Sequence, residues 1–440
     1  MSCRILIVVS SYAPAMIADM HRARHLAWEL PKLGWDVEIL CPDESYQRDF
    51  CLEPNGSHFF ASDTIVHSVS RLYPSLFSWL GVGSIGWRSL LPLMREGMRL
   101  LASGRFDLVY FSTTQFPLFL LGPIWFKRLF IPYILDFHDP CYKEDRLCPV
   151  WAKPNLKHKV SRWLSKKIEA FTVTSAIGLV AVSPIYIETL KHRYEYTKPK
   201  WLEAGRNAVI PFGILPEDFK DVNKAVYSQA SGMDQPIRII YVGAGGPIMR
   251  SAFLLLVRAL AYLHKYNASI IKQLCIELYG THFGWKEGDP NYLADIAKGY
   301  KLEGTIIEDC RRVSYRRSLE LLVNADGALI MGVDDAGYMP SKLFNYAYSG
   351  KPLLAILRND SPAYQQFQAN PILGHALWLN AENEMPIEQA SIILKSFIQE
   401  VYNRIHINRL NLLKPYMADV AARQHVNIFE ACLLVKYETD

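Results

Sequence analysis

Short runs of β-branched and other apolar residues recur along this chain, and amphipathic stretches separate one run from the next. Such runs are typical of parallel strands buried on both faces of a sheet, and parallel strands require crossover connections that are usually helical. The pattern therefore predicts an α/β protein with two Rossmann-like halves, because the runs fall into two series. The first series comprises residues 5–9, 37–40, 108–111, 133–137, 178–182 and 208–210, and the second comprises residues 237–242, 275–279, 305–308, 328–331 and 353–356.

The segment between the two series is rich in Ser, Gly, Asn and Asp and poor in apolar residues, which is typical of a linker between domains. We predict an N-terminal domain over residues 1–215, a linker over 216–236 and a C-terminal domain over 237–415. Residues 416–440 carry a helical pattern, and this helix can pack back on the N-terminal domain. A length of 440 residues fits such a division.

The charge balance argues against nucleic acid as the main partner. Lys and Arg number 48 and Asp and Glu 43, a net charge of +5, which is far below the excess typical of phosphate-backbone binding. The eight cysteines include no Cys-x-x-Cys pair, so a reduced cytosolic compartment is expected. The longest apolar stretch, residues 116–126, is interrupted by prolines and glycine and is shorter than the ~20 residues that span a bilayer. We predict no transmembrane segment.

Ligands of doubly wound sheets bind beyond the carboxyl ends of the strands. His138 and Asp139 follow the apolar run at 133–137, which places an imidazole and a carboxylate at such a strand end. A histidine there can donate to a substrate hydroxyl or carry a proton, so His138 and Asp139 are candidate catalytic residues. The structural alternative is that His138 satisfies a nearby carbonyl and Asp139 caps a turn.

Glycines follow the first run of the second series. Gly245 and Gly246 lie in segment 243–250, which ends at Arg250 before an apolar helical stretch. Backbone amides of such a loop can face an anion, and Arg250 can add positive charge at the helix start. The third glycine of a dinucleotide fingerprint is missing, so a phosphate loop and an ordinary turn both stay open.

The segment from 337 to 352 is the most informative one. Pro340 and Ser341 are typical of a helix start and Gly350 of a helix end. The Ser341 hydroxyl, the Lys342 ammonium and the free amides of a helix start together suit a diphosphate. The alternative is a capped helix with a solvated Lys342.

Two further positions complete the candidate nucleotide site. Asn345 lies one helical turn after Ser341, where its amide can bind ribose hydroxyls. In the loop 309–314, the backbone around Arg312 and Val313 can contact the edge of a nucleobase, although Arg312 also fits an ordinary solvated arginine.

Several of these segments resemble retaining glycosyltransferases of family 4, which have the GT-B fold. The His138-Asp139 pair resembles a His-Asp at a strand end of that family, and VIPFG at 209–213 resembles its Val-Ile-Pro-Asn-Gly. Residues 22–37 resemble the family's first helix and the approach to its second strand. The most specific match is PSKLFNYAYSGKP at 340–352, which resembles the family's Pro-Ser-Lys-Leu-x-Glu-Tyr helix and Gly-Lys-Pro.

The resemblance implies two Rossmann-like domains that face each other across a cleft, with a nucleotide-sugar donor on the C-terminal domain and an acceptor on the N-terminal domain. It implies that His138 contacts the donor sugar, Ser341 and Lys342 the diphosphate, and Asn345 the ribose. The UDP- or GDP-linked sugar is a co-substrate. Neither a cofactor nor a metal is expected, because cations and helix amides can stabilise the departing diphosphate. Gly337 and Asn345 stand where the family usually has two glutamates.

Residues 151–167 carry six cations and no acid, with apolar residues interleaved at helical spacing. A basic amphipathic helix with tryptophan suits an anionic membrane surface, although an ordinary surface helix has the same pattern. We therefore expect a cytoplasmic location, peripheral at the inner face of the membrane, and a glycan or lipid-linked acceptor.

The sequence thus predicts a glycosyltransferase that moves a sugar with retention at the anomeric carbon. One alternative is a non-catalytic GT-B subunit that binds a partner glycosyltransferase or a nucleotide, which Gly337 and Asn345 favour and which His138 and Lys342 oppose. Another is a nucleotide-sugar epimerase, which would require carboxylates for proton abstraction beside the 340–352 segment.

Overall fold

The structure of the protein, a computed structural model, describes residues 3–44, 56, 59–70, 83–142, 156–220, 222, 236–282, 286, 288–380 and 383–434. The chain divides into two compact units, one formed by residues 1–213 with 416–440 and the other by residues 214–415. Both units are three-layered, with helices on a parallel sheet.

The first unit contains a seven-stranded parallel sheet. Its strands are β1 (Cys3–Val8), β2 (Trp35–Pro42), β3 (Ile65–Val69), β4 (Leu108–Ser112), β5 (Tyr133–Phe137), β6 (Gly178–Ala181) and β7 (Asn207–Val209), in the order β3-β2-β1-β4-β5-β6-β7. Its first helices are α1 (His21–Glu29), α2 (Ile85–Leu101), α3 (Leu121–Leu129), α4 (Leu156–Val173) and α5 (Pro184–Tyr194). Strand β1 is central, with Ile5 opposite Val37 on one side and Leu108 on the other. Its apolar side chains are fully buried, as expected for a strand covered on both faces.

The second unit contains a six-stranded parallel sheet. Its strands are β8 (Ile237–Val242), β9 (Leu274–Tyr279), β10 (Ile306–Asp309), β11 (Gly327–Met331), β12 (Leu353–Arg358) and β13 (His375–Leu379), in the order β10-β9-β8-β11-β12-β13. The helices are α6 (Arg250–Tyr266), α7 (Ala268–Ile271), α8 (Tyr292–Lys298), α9 (Tyr315–Val323), α10 (Leu343–Tyr348), α11 (Pro362–Ala369), α12 (Ile387–Tyr402) and α13 (Leu410–Leu413). In both sheets the strand order reverses beside the first strand of the unit, which is the point where doubly wound folds bind ligands.

The last helix, α14 (Ala418–Leu433), belongs to the first unit. The ring of Phe429 packs edge-on against Trp35 and Tyr110, with ring centroids 5.4 Å apart in both pairs. This helix therefore forms part of the core beside β2 and β4.

The predicted two-domain α/β architecture is confirmed, and every predicted apolar run lies on a strand. Two strands, β3 and β13, were not predicted from the pattern. Both are edge strands, and Ile65 and Val66 of β3 are largely exposed, so neither strand needs the continuous apolar run that marks a buried one.

Part of the predicted linker belongs to the second unit. Residues Pro216–Phe219 form a 3₁₀ turn in which Asp218 accepts a hydrogen bond of 2.7 Å from the Tyr315 hydroxyl. The ring of Phe219 packs on Tyr348, with centroids 4.9 Å apart. Residues 221 and 223–235 lie outside the described residues.

One helical stretch of the described chain, Gly246–Tyr266, is long and apolar enough to cross a membrane by length and composition, with a mean hydropathy of 1.4. Slightly more than half of it is buried within the unit, and Phe253, Leu256 and Leu260 have no exposed surface. This burial is the ordinary property of a core helix of an α/β fold.

Candidate functional site

A buried Asp-His pair lies at the carboxyl end of β5. The Nε2 atom of His138 is 2.7 Å from Oδ2 of Asp136, and Ser112 at the end of β4 donates its hydroxyl to the same oxygen over 3.0 Å. Asp136 is fully buried and His138 nearly so. The carboxylate that holds His138 is thus Asp136, two residues before it, and not the adjacent Asp139, which is exposed at the surface.

The pairing determines what His138 can do. An ionised carboxylate only accepts hydrogen bonds, so the proton of a neutral His138 ring is on Nε2. Its Nδ1 atom is buried and has no hydrogen-bond partner among the described residues. A neutral His138 therefore presents Nδ1 as an acceptor, which can receive a hydrogen bond from a sugar hydroxyl.

Arg22 of α1 keeps Asp136 ionised. Its Nε lies 2.8 Å from Oδ2 of Asp136, and both side chains are buried. Burial alone would raise the pKa of Asp136, but the charge of Arg22 and the pairing with His138 outweigh it, and the pKa falls well below its usual range. The ring of Phe212 covers this group, with its centroid 5.1 Å from the His138 ring and 5.4 Å from Cζ of Arg22.

More polar side chains surround the ends of β1 and β4. Asp19 is buried, and its Oδ2 accepts the Ser10 hydroxyl over 2.5 Å and the Thr114 hydroxyl over 3.4 Å. Oδ1 of Asp19 and the hydroxyl of Ser11 have no hydrogen-bond partner within the described part of the chain. Buried polar atoms without partners are uncommon in folded proteins, and this edge of the first sheet can therefore bind a hydroxylated ligand.

The second unit brings Lys342 to the end of β8. Its ammonium donates to the carbonyl oxygen of Val242, the last residue of the strand. One turn further along α10, the Tyr346 hydroxyl accepts from the Val242 amide over 3.1 Å. Lys342 and Tyr346 thus fix the start of α10 to the strand end where a nucleotide is expected.

Helix α10 starts later in the chain than the sequence predicts. Helix α10 begins at Leu343 and has six residues, and Lys342 is its N-cap without a side-chain capping bond. Pro340 and Ser341, predicted as the first helical residues, lie before the helix, with Ser341 in a turn and half-buried. Gly350 adopts a φ of 75° after the helix end, as predicted for a terminating glycine.

Arg312 is close enough to Lys342 to affect its ionisation. Burial, and then the positive charge of Arg312, lower the pKa of Lys342 to about 8. Arg312 itself is exposed, and the neighbouring Val313 packs partly buried against the cluster that contains Ile240 and Val242. Two adjacent cations repel each other, so a bound anion such as a diphosphate would relieve an unfavourable interaction.

The glycine loop after β8 is less open than its sequence indicates. The amides of Gly243 and Gly245 donate to the carbonyls of Tyr279 and Thr281, each over 2.8 Å. The amide of Gly245 is therefore not available to an anion in this structure, as in an ordinary turn, the second of the two alternatives that the sequence left open. Gly246 begins a 3₁₀ turn with a φ of 72°, and Arg250 is exposed at the first position of α6.

The two positions that lack the usual glutamates also have polar surroundings. The Oδ1 atom of Asn345 is buried without a partner among the described residues. The Gly337 amide donates to Asp335 over 2.8 Å. A Gln or Asn amide can bind a hydroxyl, so Asn345 remains a candidate contact for a ribose.

No group of three or more His, Cys, Asp or Glu side chains within the described ranges could hold a metal ion. The six cysteines described are all unpaired.

Sequence reasoning missed Asp136 and His425 and gave Arg22 no role in the site. A charged residue inside the apolar run 133–137 was the one available signal for Asp136. His425 is 315 positions from its hydrogen-bond partner Tyr110, so no local pattern could have joined the two.

The two units, each with a parallel sheet and flanking helices, define the GT-B fold of glycosyltransferases. Residues 21–190 match the family model of the glycosyl transferase 4-like domain. This part of the chain is therefore similar to a glycosyltransferase domain. No curated protein sequence is significantly similar to the chain.

Solved structures match over nearly the full length. Sucrose-phosphate synthase from Thermosynechococcus elongatus is 14% identical with a TM-score of 0.61, covering 99% of this chain and 98% of that one. HepE from Anabaena, solved with UDP-glucose, is 13% identical with a TM-score of 0.60, covering 97% and 99%. UDP-GlcNAc 2-epimerase from Methanocaldococcus jannaschii is 13% identical with a TM-score of 0.53, again covering 97% and 99%.

Proposed function

We propose that this glycosyltransferase takes a sugar from a UDP- or GDP-linked donor and transfers it to a glycan or lipid-linked acceptor. The observation that carries the proposal is the pair of cations at the end of β8, Lys342 with Arg312 beside it. A diphosphate carries two negative charges and can therefore bind to such a pair of cations. The charge that develops on the departing diphosphate is stabilised there without a metal or another cofactor. The structural similarity to HepE, solved with UDP-glucose, supports a uridine donor.

The first unit supplies His138. Its Nδ1 accepts a hydrogen bond from a hydroxyl of the donor sugar, while Asp136 and Ser112 hold the ring in one orientation. Asp139 is exposed and takes no direct part in this pairing. Orientation of a sugar by a fixed hydrogen bond lowers the entropic cost of reaching the transition state.

Transfer proceeds with retention at the anomeric carbon. The support is the 340–352 segment, which resembles retaining enzymes, together with the glycosyl transferase 4-like domain. The acceptor binds on the first unit, where Asp19 and Ser11 offer buried polar atoms without partners among the described residues.

The protein acts in the cytoplasm, peripherally on an anionic membrane. Residues 151–155, and the side chains of 156–158, lie outside the description of the structure. In the described part of α4, Trp163 is 59% exposed, and Lys159, Lys166 and Lys167 are exposed beside it. Helical spacing places these four side chains on one outward face, and an exposed tryptophan among lysines is typical of proteins that bind anionic lipid.

The proposal is tested by a screen of nucleotide sugars. Each UDP- or GDP-sugar is added to the full chain, and the shift in melting temperature identifies the donor that binds, because a ligand of the native state raises apparent stability. The donor is then incubated with candidate acceptors in excess chelator, and NMR of the product reports the anomeric configuration. A retained glycoside formed in chelator is the expected result.

The other outcomes separate the alternatives. Conversion of the donor sugar without an acceptor would identify an epimerase, for which the structural neighbour from Methanocaldococcus jannaschii gives a precedent in the fold. Binding of a nucleotide without any transfer would identify a non-catalytic subunit. An inverted product, or activity that requires added manganese or magnesium, would contradict the proposed mechanism.

A further inference from the structure

His425 is a buried histidine that the C-terminal helix α14 inserts beneath the Asp-His pair. It has no exposed surface, and its Nε2 lies 3.0 Å from the Tyr110 hydroxyl and 3.5 Å from Nη1 of Arg22. Neither the glycosyl transferase 4-like match, which ends at 190, nor the resembling motifs include this residue.

The contacts determine the tautomer of His425. Its Nδ1 is 2.7 Å from the carbonyl oxygen of Ala421, one turn earlier in α14. A carbonyl only accepts, so Nδ1 carries the proton and Nε2 is an acceptor. Burial, and then the charge of Arg22, lower the pKa of His425 to about 3, so the ring is neutral at physiological pH.

A neutral acceptor at this point has two effects on the site. It satisfies Nη1 of Arg22, whose Nη2 donates to the Ile210 carbonyl over 2.5 Å and whose Nε faces Asp136. It also accepts the Tyr110 hydroxyl over 3.0 Å, and burial, followed by the charge of the nearby Asp136, raises the pKa of that hydroxyl. Without His425, the Tyr110 hydroxyl would be released to compete with His138 for the carboxylate, and Nη1 of Arg22 would lose its acceptor.

We infer that His425 is a positioning residue: it orients Arg22 and Tyr110 so that Asp136 holds His138 with Nε2 protonated and Nδ1 free for substrate. The inference rests on the proposed role of His138 in sugar transfer. Helix α14 thereby helps to position the catalytic histidine.

The test compares His425→Leu, which removes the acceptor, with His425→Gln, whose side-chain oxygen can restore it. Ile428→Ala is the packing control, because Ile428 is buried on the same helix. We expect His425→Leu to lower kcat on the order of 100-fold with an unchanged KM for the nucleotide sugar, the loss typical of a misplaced catalytic group. His425→Gln should recover most of the activity, and Ile428→Ala should lower the melting temperature while kcat is kept.

A second measurement needs no turnover. Nitrogen-15 NMR of the imidazoles in the wild-type protein should show His425 protonated on Nδ1 and His138 on Nε2. In His425→Leu the His138 signal should move toward a mixture of tautomers. An unchanged kcat in a folded His425→Leu, equal losses in the Leu and Gln variants, or a wild-type His425 protonated on Nε2 would each overturn the inference. If no nucleotide sugar is turned over, the proposed function fails while the NMR result still decides the role of His425.

Discussion

The ammonium of Lys342 occupies the space that a Cβ atom would need at position 243, where the chain has glycine with a φ of 149°. A Cβ at this position would displace the ammonium from the Val242 carbonyl, and the φ of 149° is itself one that residues with a side chain rarely adopt. The first residue after β8 and the residue before α10 therefore depend on each other, although 98 residues lie between them.

Gly243→Ala should reduce donor affinity by displacing Lys342. We expect a loss of about 1.5–3 kcal/mol, the value for a hydrogen bond to a charged group. Gly304→Ala is the matched control, since Gly304 has a φ of 84° and open space around its Cβ position, so it carries backbone strain without a clash. Calorimetry measures the affinity of both variants for the donor. Equal affinities in the two variants would show that Lys342 does not depend on Gly243.

Donor affinity should fall as the pH rises above about 8. Burial, and then Arg312, depress the pKa of Lys342 to about 8 in the free protein, and a bound diphosphate favours the charged form and raises it. Binding is then coupled to proton uptake above pH 8, and the affinity decreases by up to about tenfold per pH unit. Below pH 7, Lys342 is already charged and its contribution is constant. Calorimetry in buffers of different ionisation enthalpy gives the number of protons taken up when the donor binds. No proton uptake at pH 9 would contradict the assignment of Lys342 to the donor site.

Asp136→Asn should lower the free energy of unfolding by about 3–5 kcal/mol, because it leaves Arg22 buried without its counter-ion. Asp139→Asn, at an exposed position, should change it by less than about 0.5 kcal/mol. The pKa of Asp136 is depressed, so its stabilising effect is fully present above the ordinary carboxyl pKa and decreases gradually as the pH falls from there through the depressed pKa. Urea unfolding at pH 7 and pH 3 should show a smaller advantage of the wild type over Asp136→Asn at the lower pH. If the two proteins differ in free energy of unfolding by the same amount at both pH values, Asp136 and Arg22 do not form an ionised pair.

Replacement of Lys159, Lys166 and Lys167 by Gln should release the protein from anionic vesicles. Each cation near such a surface contributes about 1 kcal/mol, and wild-type binding should also weaken at high salt. The control replaces three exposed lysines of the second unit, Lys265, Lys298 and Lys395, which gives the same net charge. Flotation with vesicles of phosphatidylserine and phosphatidylcholine measures both. Absence of wild-type binding at low salt, or equal release by the two triple variants, would refute the lipid surface.

The sequence predicted those parts of the fold that rest on buried periodicity. Strands β5 and β8 were predicted to the residue, because both are mainly apolar runs that follow a proline and end before a histidine or a glycine. The edge strands β3 and β13 were missed because an edge strand is partly exposed and does not need a long apolar run.

The site was predicted only as far as local motifs reach. His138 and Lys342 stand in recognisable segments, and both lie at strand ends in the structure. No partner was predicted for His138, and in the structure the alternation of side chains along β5 brings Asp136, two residues earlier, to the ring. Arg22 and His425 meet only because α1 and α14 pack together, and such long-range contacts have no signature in the sequence.

The role of Lys342 in donor binding is tested most directly by calorimetry at pH 7, which measures the affinity of the nucleotide sugar for the wild-type protein, Lys342→Ala and Lys395→Ala. Lys395 is an exposed lysine of the same unit and serves as the charge-matched control. We expect Lys342→Ala to weaken binding by about 1.5–3 kcal/mol and Lys395→Ala to bind like the wild type. An unchanged affinity in a folded Lys342→Ala would remove Lys342 from the donor site and contradict the proposed function at its central point.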